Sequence, residues 1–192
     1  MKLKEEEVNL DFNGKVFKVK TDSEGYFNTK LKHFGTIPSG INTFTAKLAD
    51  GQKYQSELTT GKVTIHSTTD KTFGVVSDID DTIQKSYATN KLKAVETLFS
   101  NNYQTQKQIA GTSELYQALD KKNDGKEDGD LYYISGSPVQ ITGRIENFLD
   151  LHNFPEGSID LKRMGFGKNE DSPTKQVDYK LGKLRTLFNE YR

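Results

Sequence analysis

Residues 7–20 alternate between apolar and polar positions. Val8, Leu10 and Phe12 fall at every second place, Asn13-Gly14 interrupts, and Val16, Phe17 and Val19 follow. A period of two puts alternate side chains on one face of a strand, and Asn-Gly tolerates the positive φ of a tight turn, so a β-hairpin is predicted here. Turn signals recur in "TDSEGYF", at Asp50-Gly51 and at Gly61. Short strands separated by turns at this spacing predict a small β-sandwich over residues 1–70.

After Asp70 the period changes. "TFGVVSDID" is a continuous apolar run of the kind buried in a parallel sheet, and "DLYYIS" is a second. "SIDLKRMG" is a candidate third strand. Between and after them the apolar spacing becomes helical. "NKLKAVETLF" places Leu92, Val95 and Phe99, and "GTSELYQALDKK" places Leu115 and Leu119. "SPVQITGRIENFLDLH" offers Ser137 as an N-cap, Pro138 in the first turn and a stripe of Ile141, Ile145, Phe148 and Leu149. "TKQVDYKLGKLRTLFNEYR" aligns Val177, Leu181, Leu184, Phe188 and Tyr191 on one face. Strands alternating with helices predict an α/β unit over 71–192, a Rossmann-like parallel sheet preceded by the β-sandwich. In such sheets the chemistry lies beyond the carboxyl ends of the strands, where Asp78 and Ser135 fall.

Composition narrows the choice of partner. The 27 basic residues balance 27 acidic ones, so no global field draws in nucleic acid. The local clusters Lys162-Arg163 and Lys180 to Arg185 read as solvated faces. The absence of cysteine excludes disulfides, thiolate metal sites and a cysteine nucleophile. "MKLKEEEVNL" has no apolar stretch for a signal peptide, and no segment nears the roughly 20 apolar residues that cross a bilayer, so a soluble, cytoplasmic protein is expected. The loop "KKNDGKEDGDL" imitates a calcium site at Asp124, Asp128 and Gly129. However, Lys126 stands where an oxygen ligand belongs and no glutamate falls at the twelfth position, so it reads as a solvated turn. "DIDDTI" fails the same test, with Ile83 in place of the required glycine. His33 and His66 stand alone and read as ordinary histidines.

Candidate chemistry gathers where the first apolar run ends. Asp78, Asp80 and Asp81 put three carboxylates within four positions. Like charges this close repel, and burying them unpaired is costly. Asp78 and Asp80, two residues apart, can face one cleft, and a divalent cation would relieve their repulsion. Mg²⁺ suits them, as a hard ion that takes one or two carboxylates, a carbonyl, waters and phosphate oxygens. With a phosphate ester bound, Asp78 would be the nucleophile that forms an aspartyl-phosphate. Asp80 would protonate the leaving alcohol and then activate water. Ser135 and the backbone N–H of Gly136 could donate to the phosphate oxygens, and Lys180 could supply charge, whereas Lys175 lies on the opposite helix face.

"DIDDT" resembles the first motif of the haloacid dehalogenase-like phosphatases, Ser135 their second and Lys180 their third. The longer strings "VVSDIDDTI", "GTSELYQAL", "YYISGSPVQI" and "NFPEGSIDLKRMG" resemble the catalytic domain of the actin-patch-protein type phosphatidate phosphatases, over about residues 70–192. "VKTDSEGYF" and "IPSGINTFTAKL" resemble the β-region that precedes that domain in bacterial relatives. The resemblance implies a Mg²⁺-dependent enzyme that converts phosphatidate to diacylglycerol and phosphate, with a peripheral membrane contact. It implies that Asp78 is nucleophile and metal ligand, and that Asp80 is acid/base and gives a carbonyl to the metal. It implies that Ser135 and Lys180 hold the phosphate and that Thr82, Gly136 and Ser137 line the substrate.

This sequence departs from the family at two points. Val139 stands where the family tends to have tryptophan, and the family continues past the lysine helix into a strand ending in "GDS", whereas this chain stops at Arg192. That predicts an incomplete sheet with the "VVSDID" strand at its edge, and weak or no activity. Two alternatives stay open: a phosphatase of the same fold acting on a soluble ester such as a sugar phosphate, and a catalytically inactive binding module. No basic amphipathic helix suited to a lipid surface stands out.

Overall fold

A computed structural model describes residues 3–32, 35–51, 54, 56–66, 73–86, 102–124, 130–163 and 175–190. The helix expected around 91–100, His33, most of the acidic loop (125–129) and Tyr191 lie outside the described residues. The chain divides into two compact units, Met1–Thr68 and Thr69–Arg192.

The first unit is a four-stranded antiparallel sheet of β1 (Glu7–Phe12), β2 (Lys15–Lys20), β3 (Gly40–Leu48) and β4 (Thr59–Ile65), in the order β2-β1-β3-β4. The predicted hairpin forms: Phe12 pairs with Lys15 across Asn13-Gly14, whose φ values of 50° and 74° are the left-handed pair that a type I′ turn requires. Val8, Leu10, Val19 and Leu48 bury themselves on one side. A sandwich needs two packed sheets, whereas the described residues of this unit form a single sheet. Gly61 marks no turn. It lies within β4 opposite Phe44, where a Cβ would fall 2.4 Å from the Phe44 ring, so the glycine makes room for a cross-strand aromatic.

The second unit holds three parallel strands, β5 (Val75–Asp78), β6 (Leu131–Pro138) and β7 (Gly157–Lys162), in the order β5-β6-β7. It also holds α1 (Thr112–Asp124), α2 (Thr142–Leu151) and α3 (Gln176–Glu190). The central strand β6 is buried continuously from Leu131 to Gly136, as an unbroken apolar run in a parallel sheet should be. Ile79, Ile83, Tyr133, Phe148 and Phe154 belong to the core that surrounds it. Because the strands are parallel, Asp78, the Ser135–Pro138 segment and Lys162 all end at the same edge of the sheet.

Several local expectations change. Ser137 does not cap a helix: β6 runs through Pro138, a 3-10 turn follows over Val139–Ile141, and α2 begins at Thr142 with no side-chain cap. In α1 it is Ser113, Tyr116 and Asp120 that are buried, while Leu115 is exposed and Leu119 only partly covered. In α3 the buried residue is Tyr179, and Val177, Leu181 and Phe188 are exposed. Lys162 is not on a solvated face. It is 0 % exposed at the end of β7, with its ammonium 5.5 Å from the centre of the Tyr179 ring.

Candidate active site

The stretch after β5 is built around one carbonyl. Ile79 O accepts the amides of Thr82, Ile83 and Gln84 at 3.3, 3.0 and 3.2 Å, and the fully buried side chains of Ile79 and Ile83 anchor this turn to the core. The result separates the three aspartates. Asp78 Oδ1 accepts the Ile79 amide at 2.9 Å and lies 2.7 Å from Lys180 Nζ. Asp80 turns toward β6, where its Oδ2 accepts the hydroxyls of Ser135 at 2.5 Å and Ser137 at 2.9 Å, and its Oδ1 accepts the Gln84 amide at 3.1 Å. Asp81 takes a left-handed conformation with φ 58°, and its Oδ1 accepts the Ser86 amide at 2.9 Å. Each carboxylate therefore has its own set of donors, which answers the puzzle of three like charges in one short turn.

The pairing of β6 with β7 slips between Ser135 and Pro138, and in this irregular stretch both serine hydroxyls reach the same Asp80 oxygen. Ser135 Oγ also accepts the Ser137 amide at 2.9 Å, and Ser135 is 0 % exposed. The drawing of Ser137 toward Asp80 is also the reason it caps nothing. Gly136 between them is closely approached by α3: a Cβ there would fall 3.0 Å from Gln176 Cδ. Thr82 sits half-buried in the same turn. Lys180 reaches the site from the first turns of α3, whereas Lys175 is exposed, 4.0 Å from Asp178. The structure thus brings Lys180 to Asp78 and Ser135 and Ser137 to Asp80, all at the carboxyl ends of β5 and β6.

Two neighbours escaped sequence reasoning. Gln84 is buried and binds Asp80; its spacing of four from Asp80, one helical turn, was the available signal. Arg144, in the first turn of α2, is half-buried. Burial lowers its pKa, and the nearby Asp80 charge acts in the opposite direction. A cation beside an apolar stripe normally reads as a solvated flank, and only the fold shows that this flank faces an aspartate. Lys180 and Arg144 together set two positive charges near the two negative ones of Asp78 and Asp80.

Among the described residues, no group of three or more His, Cys, Asp or Glu side chains converges to hold a metal. The oxygens at the strand end nevertheless suit a hard cation. Among the described residues, the partners of the Asp78 carboxylate fall on Oδ1, which leaves Oδ2 open. The backbone bonds that join Asp80 to Gln84 run from Gln84 N to Ile79 O and from Asp81 N to Gln84 O, so neither uses the Asp80 carbonyl. One carboxylate oxygen and one carbonyl are the kind of ligands Mg²⁺ takes alongside water and phosphate.

An acidic pair with cations and hydroxyls around it, at the carboxyl ends of parallel strands, occupies the place where open α/β sheets carry their chemistry. Residues 73–192 match the family described as phosphatidate phosphatase APP1, catalytic domain. This covers well over half of the 192 residues, and the chain belongs to that family. Membership implies phosphatidate phosphatase-type hydrolase activity. No curated protein and no solved structure matches the chain. Among the described residues, no helix is long and apolar enough to cross a membrane.

Proposed function

We propose that the chain hydrolyses phosphatidate to diacylglycerol and phosphate, with Asp78 as nucleophile and Asp80 as general acid and base. The observation that carries this reading is the pairing of Lys180 with Asp78 at 2.7 Å next to an Asp80 held by two serine hydroxyls, inside the segment that matches the family. An Asp78 oxygen attacks phosphorus, and the bond from phosphorus to the glycerol oxygen breaks. The departing oxygen takes its electron pair and receives the proton held by Asp80. Water then attacks the aspartyl-phosphate while Asp80 accepts its proton, which releases phosphate and restores Asp78. For that second half Asp80 already stands as an acceptor, with both carboxylate oxygens taking hydrogen bonds. Lys180 and Arg144 offset the charge that builds on the phosphate oxygens, and Ser135, Ser137, Thr82 and the Gly136 amide are the neighbouring donors. Mg²⁺, held by the Asp78 carboxylate and the Asp80 carbonyl, would draw further charge from those oxygens.

The test is phosphate release from phosphatidate in detergent micelles and from glycerol phosphate, each with Mg²⁺ and with EDTA. Faster release from the micelles, abolished by EDTA and by Asp78→Asn, is the expected result. The reverse order of substrates would move the assignment to a soluble ester. Turnover of neither substrate would leave a binding module.

A further inference from the structure

Behind Asp78 lies a second polar chain that the reaction above does not use. Ser77 Oγ is 2.6 Å from the Asp78 backbone carbonyl and 2.8 Å from the Tyr116 hydroxyl of α1. A carbonyl can only accept, so the single hydroxyl proton of Ser77 goes to Asp78 O. The contact with Ser77 is then carried by the Tyr116 O–H. The direction of the chain is fixed: Tyr116 donates to Ser77, and Ser77 donates to Asp78.

Both side chains are buried, and α1 is held so that this geometry is reproducible. Ser113, one turn earlier, donates to His152 O at 2.8 Å, which ties α1 to the end of α2. The Tyr116 ring stands edge-on to Phe154 at 5.9 Å. Alanine at 77 and phenylalanine at 116 would occupy much the same space without two hydroxyls to desolvate. The hydroxyls act on one peptide unit. The carbonyl that Ser77 holds and the N–H that donates to Asp78 Oδ1 at 2.9 Å belong to the same plane, the peptide joining Asp78 to Ile79. Fixing the carbonyl fixes the N–H, and a donor on the carbonyl strengthens the N–H as a donor.

We propose that Tyr116 and Ser77 are positioning residues that lock the Asp78–Ile79 peptide plane, so that its N–H holds Asp78 Oδ1 and leaves Oδ2 aimed at phosphorus. This rests on Asp78 being the nucleophile. Removing either hydroxyl lets the plane rotate and slows the chemical step without altering how substrate binds.

The experiment compares Tyr116→Phe, Ser77→Ala, the double variant and Ser77→Thr with the wild type. It reads kcat and KM on micellar phosphatidate, thermal midpoint, and the Ile79 amide by ¹H–¹⁵N NMR. We expect kcat to fall about three- to tenfold in each single variant at constant KM. The double variant should be no slower than Ser77→Ala alone, and Ser77→Thr should recover most of the loss. The Ile79 amide should move upfield and exchange faster in Tyr116→Phe and Ser77→Ala. Unchanged kcat with a lowered thermal midpoint would reduce the pair to a packing role and overturn the proposal, as would single-variant losses that multiply in the double variant. If the wild type turns over neither substrate, the phosphatase reading fails. The Ile79 amide then decides the positioning alone: an amide unmoved by both substitutions ends it.

Discussion

Helices α2 and α3 look alike in sequence and behave oppositely in the fold. Each carries an apolar stripe at helical spacing. The α2 stripe goes inward: Ile145, Phe148 and Leu149 are buried, Phe148 to 1 % exposure. Most of the described α3 stripe faces out: Val177 is 70 % and Phe188 64 % exposed, Leu181 is exposed as well, and Leu184 is half-buried. What α3 presents to the strands instead is Tyr179, Lys180 and Lys183. Lys180 meets Asp78 at 2.7 Å, Lys183 meets Asp160 at 2.6 Å, and the Tyr179 ring lies within 6 Å of the ammonium groups of Lys162 and Lys183, at 5.5 and 5.8 Å.

Magnitudes say what this means. Burying a large apolar side chain contributes about 1.5–3 kcal/mol, while an ion pair as exposed as these contributes about 0–1 kcal/mol. Apolar burial would have turned α3 the other way. The difference between the helices teaches that periodicity specifies a helix but not which face is used, and that a helix delivering a charged group to a strand end can forgo stability to do so.

Four substitutions break or sharpen the contrast. Phe148→Ala in α2 should lower unfolding free energy by about 3–5 kcal/mol, read from the urea midpoint, because it empties a closed core site. A loss under 1 kcal/mol would mean that α2 is not the stabilising helix. Lys180→Met in α3 should leave the urea midpoint nearly unchanged while phosphate release drops about 10²–10³-fold, the scale of a lost oxyanion donor. Retained turnover would remove the functional reason for the orientation of α3. Arg144→Gln, at the polar edge of α2, should reduce release roughly fivefold, as for a partly screened charge near Asp80. No change there would show that the α2 edge takes no part. Phe188→Ser, on the outward stripe, should shift stability by less than about 0.5 kcal/mol. A loss approaching that of Phe148→Ala would place Phe188 in a buried environment in solution.

The same contrast marks what the sequence made legible. Elements that depend on local rules could be read directly: the Asn13-Gly14 hairpin from its turn chemistry, β5 and β6 as strands from their apolar runs, and the α2 stripe from its spacing; the burial expected of the first run failed, since Phe73 and Val76 are exposed. What failed depends on partners distant in sequence. Ser137 looked like a cap because Ser-Pro opens many helices, yet Asp80, far upstream, takes its hydroxyl. Leu115 looked inward and Tyr116 did not, because nothing local announces that Ser77 awaits a hydroxyl. At the site, Asp78, Asp80, Ser135 and Lys180 were named from motif strings. Gln84 and Arg144 were missed, since a polar residue beside an apolar stripe carries no mark of what it faces.

The left-handed turn at Asp81 has a consequence for what its side chain does. The backbone there, with φ 58°, favours the short polar residues aspartate and asparagine over branched ones, and the side chain serves to accept the Ser86 amide. The third aspartate therefore serves the backbone of its own turn, while the carboxylates of Asp78 and Asp80 meet Lys180 and the two serines.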